Sequence, residues 1–192
     1  MEALQALDAQ LALWVQAHVR TSLLNGFFVW LTTARHFVIP LAVVWLGLLA
    51  FGGRSGRWLA LLFLLTLIAT DQLSSHLIKP WVDRVRPCFA IDQMQALINQ
   101  ARSPSFPSGH ASNSFGAAVI LVRRHRRAGT AALLIALLVG ISRVYVGVHY
   151  PGDVLGGALL GTLTALLIGA LADRGRQAWG RWRARQAPRS DS

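Results

Sequence analysis

Cysteine is all but missing from this chain. The single one, Cys88, excludes an internal disulfide and any cysteine-based metal site. Charge is also scarce, at 14% of 192 residues, and only eight residues are Asp or Glu. No cluster of carboxylates is left to hold a pair of magnesium ions, so neither a metal nor any other cofactor is expected. Lysine occurs once, as Lys79, against 18 arginines. A basic start followed by an apolar block is lacking too. Met1 to Val19 carries Glu2 and Asp8, so no cleavable signal peptide is expected.

Apolar residues fill the space instead. They make up 54% of the chain, with a mean hydropathy of +0.45, too high for an ordinary soluble domain. The formal net charge is +11. Nucleic acid is not the expected partner, because the arginines fall between apolar runs, as in membrane proteins. An all-α polytopic bundle of about five membrane spans follows, with the lipid bilayer as its surroundings and no obligate protein partner in evidence.

Residues 1–35 read as N-terminal interfacial helices. Leu4, Leu7, Leu11, Trp14 and Val15 recur at helical spacing among polar residues. Such a helix is too polar to span and suits the membrane surface. Leu23 to Leu31 is too short to cross a core of about 30 Å and reads as a second interfacial or re-entrant piece. A core over residues 36–173 follows, with spans near 37–51, 58–78, 108–122, 130–148 and 150–171. Ile91 to Ala101 reads as a short surface helix. Residues 174–192 form a basic tail with a disordered end expected, and Trp179 and Trp182 as interface anchors.

The Arg54/Arg57 turn, the Arg123–Arg127 cluster and the tail all fall on one side of five spans, which the positive-inside rule makes cytoplasmic. The chemistry-bearing stretches fall on the other. That arrangement is expected of a bacterial inner-membrane protein acting at its periplasmic face.

Three stretches carry the chemistry. The first runs from Lys79 to Arg86-Pro87. A lysine is a compact charge suited to a phosphate oxygen, although a snorkelling lysine would explain Lys79 alone. The second is Pro107-Ser108-Gly109-His110. It can start a helix whose free amides at Ser108, Gly109 and His110 offer an anion site. Gly109 permits close backbone approach and His110 can deliver a proton. An ordinary helix cap with a surface histidine is the simpler reading of that stretch by itself.

The third runs from Ser142-Arg143 to His149 and Asp153. Arg143 can fork onto a phosphate. His149 can be a nucleophile or general base, and Asp153, one turn on, can accept from Nδ1 and leave Nε2 free. Charged groups in apolar runs are functional candidates by default. Asp71 reads as a structural carboxylate, paired with a basic group or a neighbouring helix. Arg84 reads as an interface charge, with guarding the mouth of the site as the alternative. His18, His36, His76 and His125 read as surface or packing residues.

In order and spacing, these stretches resemble the type 2 phosphatidic acid phosphatase (PAP2) superfamily of membrane lipid phosphatases. The resemblance covers about residues 70–171, with no departure at a defining position. It implies that His149 attacks phosphorus and forms a phosphohistidine, that Asp153 orients it, and that His110 protonates the leaving oxygen. It further implies that Lys79, Arg86, Ser108, Gly109 and Arg143 hold the phosphate oxygens. A membrane lipid carrying a phosphate or pyrophosphate is the implied substrate. The compact chain favours undecaprenyl pyrophosphate, ahead of phosphatidylglycerol phosphate and phosphatidate. Vanadium haloperoxidases share the motifs, but five apolar spans argue against a soluble enzyme. The intact His110, His149 and Asp153 argue against a non-catalytic transporter or scaffold.

Overall fold

The computed structural model describes residues 2–186. Every regular element in it is helical: α1 (Glu2–His18), α2 (Ser22–Thr32), α3 (Arg35–Phe51), α4 (Gly53–Gln72), a π-helical stretch (Leu73–Ile78), α5 (Lys79–Val82), α6 (Pro87–Ala90), α7 (Gly109–Arg124), α8 (Arg126–Tyr145) and α9 (Pro151–Gln186). The five expected spans correspond to α3, α4, α7, α8 and α9.

By length and apolarity, three stretches can each cross a membrane alone: 53–90, α8 and α9. Helices α2 and α3, bent by 42° at their junction, would make a fourth if counted as one broken span. Helix α7 falls short. Its 16 residues reach about 24 Å at 1.5 Å per residue, against a hydrocarbon core of about 30 Å. It is the central helix, packed by α4, α8 and α9, and its inner face carries Ser112 and Asn113 rather than aliphatic residues alone.

Small residues bring α7 and α9 together. A Cβ at Gly161 would run into the Ser112 carbonyl and lie 2.9 Å from the Gly116 amide, and one at Gly157 would lie 3.0 Å from the Ala111 Cβ. The two backbones therefore approach as only glycine allows. That approach matters because the N-terminal ends of both helices form the site.

Other expectations shift. Residues 91–101 form turns rather than a surface helix. Partners distant in sequence fasten them: Leu97 N donates to Val146 O (3.0 Å), Gln95 N to Gln16 Oε1 (2.8 Å) and Arg20 Nη1 to Gln95 O (2.8 Å). Tertiary hydrogen bonds thus replace helical ones. Helix α8 stops at Tyr145, three residues early, because Gly147 adopts φ +81°. Helix α9 runs on through the basic tail to Gln186, 36 residues in all. The expected disorder at the tail's end falls beyond the described residues.

Helix α1 is amphipathic as expected, with Leu4, Leu7, Leu11 and Trp14 exposed. Helix α2 does more than lie at a surface. Phe28 and Leu31 pack into a cluster with Tyr145, Val146 and Val148, directly under the stretch leading to His149.

The basic segments gather at one end of the bundle. Arg123 and Arg124 both pair with Asp173, at 2.7 and 2.9 Å. Arg176 lies over the Trp58 ring at 5.4 Å. Lys79, His110, Arg143 and His149 sit at helix ends belonging to the opposite end.

Candidate active site

Lys79 reaches the site through a change of helical pitch. The buried positions of its helix run Thr66, Thr70, Ser74, at four-residue steps. The next residue needed inside is Lys79, five steps on. The π-helical stretch supplies that extra residue, with the Lys79 amide donating to the Ser74 carbonyl. An uninterrupted α-helix would have carried Lys79 about 100° round the axis. As built, Lys79 lies within electrostatic reach of Arg86, Arg143 and Asp153. Asp71, two turns earlier on the same helix, is also within electrostatic reach of Lys79 but makes no direct contact with a basic group among the described residues. It is exposed, and its one hydrogen-bond partner among them is Ser75 Oγ of its own helix, at 3.5 Å.

Asp83 ends α5 in the left-handed region (φ 42°), a conformation Asp tolerates better than most. The turn sends Arg84 and Arg86 inward. Arg86 is held on all sides. Its Nε donates to Ser103 O (2.8 Å), Nη2 to Ser103 Oγ (3.1 Å), and Nη1 to Val148 O (3.0 Å) and His149 Nε2 (2.9 Å).

Ser108 is the N-cap residue of α7, as expected, but its side chain caps nothing. Its hydroxyl is buried without a partner. Its amide is not a free donor: it bonds to the Asp153 carbonyl at 2.9 Å, tying α7 to α9. The amides of Gly109 and His110 remain, since the first residues of a helix have no intrahelical acceptor. A Cβ at Gly109 would meet nothing within 4 Å, so the space above this amide is open. His110 lies within electrostatic reach of Arg143, His149, Lys79 and Arg86.

His149 sits in the turn between α8 and α9 and is buried. Its Nδ1 faces Asp153 Oδ2 at 3.4 Å. Arginine has only donors to offer, so the Arg86 contact assigns Nε2 as an acceptor and places the proton on Nδ1. Burial holds the imidazole below its ordinary value of 6.5, at about 4. The Asp153 hydrogen bond acts in the opposite direction, and the charges of Arg143 and Arg86 reinforce the lowering. The ring is neutral across the physiological range, with an unprotonated Nε2. Asp153 is fully buried, and its Oδ2 also accepts from the Tyr150 amide at 2.9 Å.

Arg143 is buried as well. Its Nη1 donates to Thr32 Oγ1 at 2.6 Å, Nη2 points at Gln100 Oε1 (3.3 Å), and Nε has no partner. Orphaned buried donors cost stability, and a ligand rich in acceptor oxygens would satisfy both Nε and the Ser108 hydroxyl.

All eight expected site residues therefore come together at one end of the bundle. Two refinements concern Nε2, which Arg86 occupies, and the Ser108 amide. Arg84 is more than an interface charge: its Nη1 reaches Asp153 Oδ1 at 2.8 Å and Asp8 Oδ2 at 2.7 Å. Asp8 and Thr32 were missed by sequence reasoning. Asp8 is a lone carboxylate in an amphipathic helix and Thr32 a lone hydroxyl at a helix end. Neither carries a spacing signal, and both act on residues far along the chain, Asp8 on Arg84 and Thr32 on Arg143.

The PAP2 superfamily model matches residues 60–176. Phosphatidylglycerophosphatase B of Bacillus subtilis strain 168 is 41% identical over 146 residues, covering 70% of this chain and 68% of the relative. Undecaprenyl-diphosphatase BcrC of the same strain is 30% identical over 152 residues, covering 79% and 77%. Among solved structures, the transmembrane PAP2-type phosphatidylglycerolphosphate phosphatase from Bacillus subtilis superposes with a TM-score of 0.74 at 32% identity, covering 91% of this chain and 88% of that one.

Proposed function

The chain belongs to the PAP2 superfamily and is a membrane lipid phosphatase; from that premise we propose that it hydrolyses a lipid phosphate or pyrophosphate through a phosphohistidine at His149. The observation that carries this is the state of the imidazole, with Nδ1 turned to Asp153 and an unprotonated Nε2 among buried cations.

In the first step Nε2 forms a bond to phosphorus as the bond to the leaving oxygen breaks. His110 gives that oxygen its proton. In the second step a water attacks phosphorus, His110 takes its proton, and the P–N bond breaks to return Nε2 and release phosphate. Lys79, Arg86, Arg143, the Ser108 hydroxyl and the Gly109 amide balance charge on the equatorial oxygens, where phosphoryl transfer needs it. Those fixed cations do the work a metal does elsewhere, and the reaction is proposed to need none. Arg86 yields its bond to Nε2 as the phosphate arrives and transfers it to a phosphate oxygen.

The proposed working unit is the core of residues 36–173 with the helices of 1–35 against its site, and the basic tail serves orientation. The site lies at the end opposite Arg123, Arg124 and Arg176, which supports an inner-membrane protein with a periplasmic site. A substrate with its tails in the outer leaflet would present its headgroup there.

Undecaprenyl pyrophosphate is the leading substrate, supported by an undecaprenyl-diphosphatase relative matched over most of both lengths. Phosphatidylglycerol phosphate is the second reading, supported by the 41% identical relative; phosphatidate ranks below both. The test is phosphate release by purified protein on all three lipids, compared by kcat/KM, with His149→Ala alongside. Full activity in His149→Ala would sink the phosphohistidine. Undiminished turnover in excess chelator supports metal independence, and a sharp loss contradicts it.

A further inference from the structure

Arg84 stands between two carboxylates contributed by opposite ends of the chain. Its Nη1 lies 2.8 Å from Asp153 Oδ1 and 2.7 Å from Asp8 Oδ2, and its guanidinium lies 3.8 Å from the centre of the Tyr150 ring. The second oxygen of Asp8 accepts from the Gly152 amide at 2.7 Å. Helix α1 is thereby clamped to the first turn of α9 at Gly152 directly and at Asp153 through Arg84. The side chains of Asp8 and Arg84 are only 12% and 19% exposed, so these contacts are little screened.

The geometry at His149 gives the clamp a consequence. The Nδ1 to Oδ2 distance is 3.4 Å, at the long limit of a hydrogen bond. A small rotation of the Asp153 carboxylate therefore makes or loses it. Oδ2 is anchored by the Tyr150 amide, and the plane of the carboxylate is set by what holds Oδ1, which is Arg84. Arg84 in turn has room to leave. Two clefts of about 210 and 360 Å³ border it, lined by Gln5, Val82 and Asp83 among others. Beside Asp153 and the Tyr150 ring, Asp8 is the remaining group that holds the guanidinium away from them.

We propose that Arg84 is a positioning residue for the Asp153–His149 pair and that Asp8 holds Arg84 in place. Helix α1, which lies ahead of the family-matching residues 60–176, is then part of the catalytic apparatus as well as a membrane-surface helix. The inference rests on the phosphohistidine reading above.

The test is steady-state phosphate release by the full chain in detergent, on phosphatidylglycerol phosphate and undecaprenyl pyrophosphate. The variants are Arg84→Gln, Arg84→Lys, Asp8→Asn, Asp8→Glu and the double Asp8→Asn/Arg84→Gln. Thermal unfolding and size-exclusion profiles are recorded for each. Arg84→Gln is expected to lower kcat about tenfold, the loss that about 1.4 kcal/mol of transition-state stabilisation carries, with KM within about twofold.

Asp8→Asn is expected to lower kcat several-fold while the protein stays folded at the assay temperature, and Asp8→Glu to restore it in part. Within the double variant, loss of Asp8 should cost nothing further, since the two residues act in series. A rise in KM at constant kcat for Arg84→Gln would make Arg84 a substrate ligand and overturn the proposal. So would additive losses in the double variant, or wild-type kcat in Asp8→Asn. Should Arg84→Gln fail to fold, the Asp8 pair and Arg84→Lys decide by the same criteria. Full turnover in His149→Ala is a separate result, and removes the phosphohistidine reading itself.

Discussion

Arg86 Nη1 lies 2.9 Å from His149 Nε2, so the lone pair proposed to attack phosphorus is already engaged by a guanidinium that also spans residues 103, 104 and 148. One residue thus holds the nucleophile's tautomer and fastens the loop in front of α7. Arg86→Ala leaves several buried acceptors unpaired and removes a cation from the transition state. A fall in kcat/KM of about a hundred- to a thousandfold is expected, as for loss of a preorganised oxyanion donor. Arg86→Lys should recover little of it, since an ammonium cannot reproduce the fork. Activity assays on folded protein check both.

The pH profile of the free enzyme tests the state of His149. Burial places the imidazole at about 4 against 6.5 for an exposed ring. The limb of kcat/KM set by His149 should therefore lie near pH 4 rather than near 6.5, and the proton that His110 donates sets a second limb on which activity falls as that ring loses it. The same shift affects folding. Between about 4 and 6.5 the unfolded chain holds the proton and the folded chain does not, so stability rises with pH across that window. Melting temperatures of the wild type and His149→Gln should converge at the acid end, because only the wild type bears this cost.

Thr32 accepts from Arg143 Nη1 at 2.6 Å in a buried setting. Thr32→Val keeps the shape and removes the acceptor. A hydrogen bond to a charged group contributes about 1.5–3 kcal/mol, so kcat/KM should fall roughly ten- to a hundredfold, with Thr32→Ser near wild type. Equal activity for Val and Ser would show that Arg143 needs no hold from α2.

The α7–α9 seam has no slack. Gly161→Ala drives a methyl into the Ser112 carbonyl, and overpacking of this kind costs about 1–3 kcal/mol or more. A lower melting temperature and lower activity are expected together, because the same seam carries the Ser108 amide to the Asp153 carbonyl. Gly109→Ala, with open space over its Cβ, should fold normally and lose activity on substrate instead.

Deleting Leu77 would return the π-helical stretch to α-helical pitch and turn Lys79 away from the site. The deletion should behave as Lys79→Ala does in kcat/KM while the bundle stays folded. Retained activity would mean that Lys79 reaches its ligand without the extra residue.

Local and periodic features were legible before any coordinates. The apolar spans, the arginine bias between them, and the spacing from His149 to Asp153 depend on neighbours along one helix or on transfer into lipid, and both are written in residue order. The all-helical bundle came from that information, and the eight candidate residues from it together with the resemblance of three motifs to the PAP2 superfamily. The extra residue before Lys79, the turns at 91–101 and the roles of Asp8, Thr32 and Arg84 did not. The first is a local change of helical pitch with no periodic signature, and the others depend on contacts across scores of residues, such as Gln16 with Gln93 or Thr32 with Arg143. The energy of such a contact exists only once close glycine packing and the Asp83 turn have brought distant backbone together. Residue types and their periodicity specified the chemistry and its solvent; chain folding alone assigned which neighbour holds each catalytic group in place.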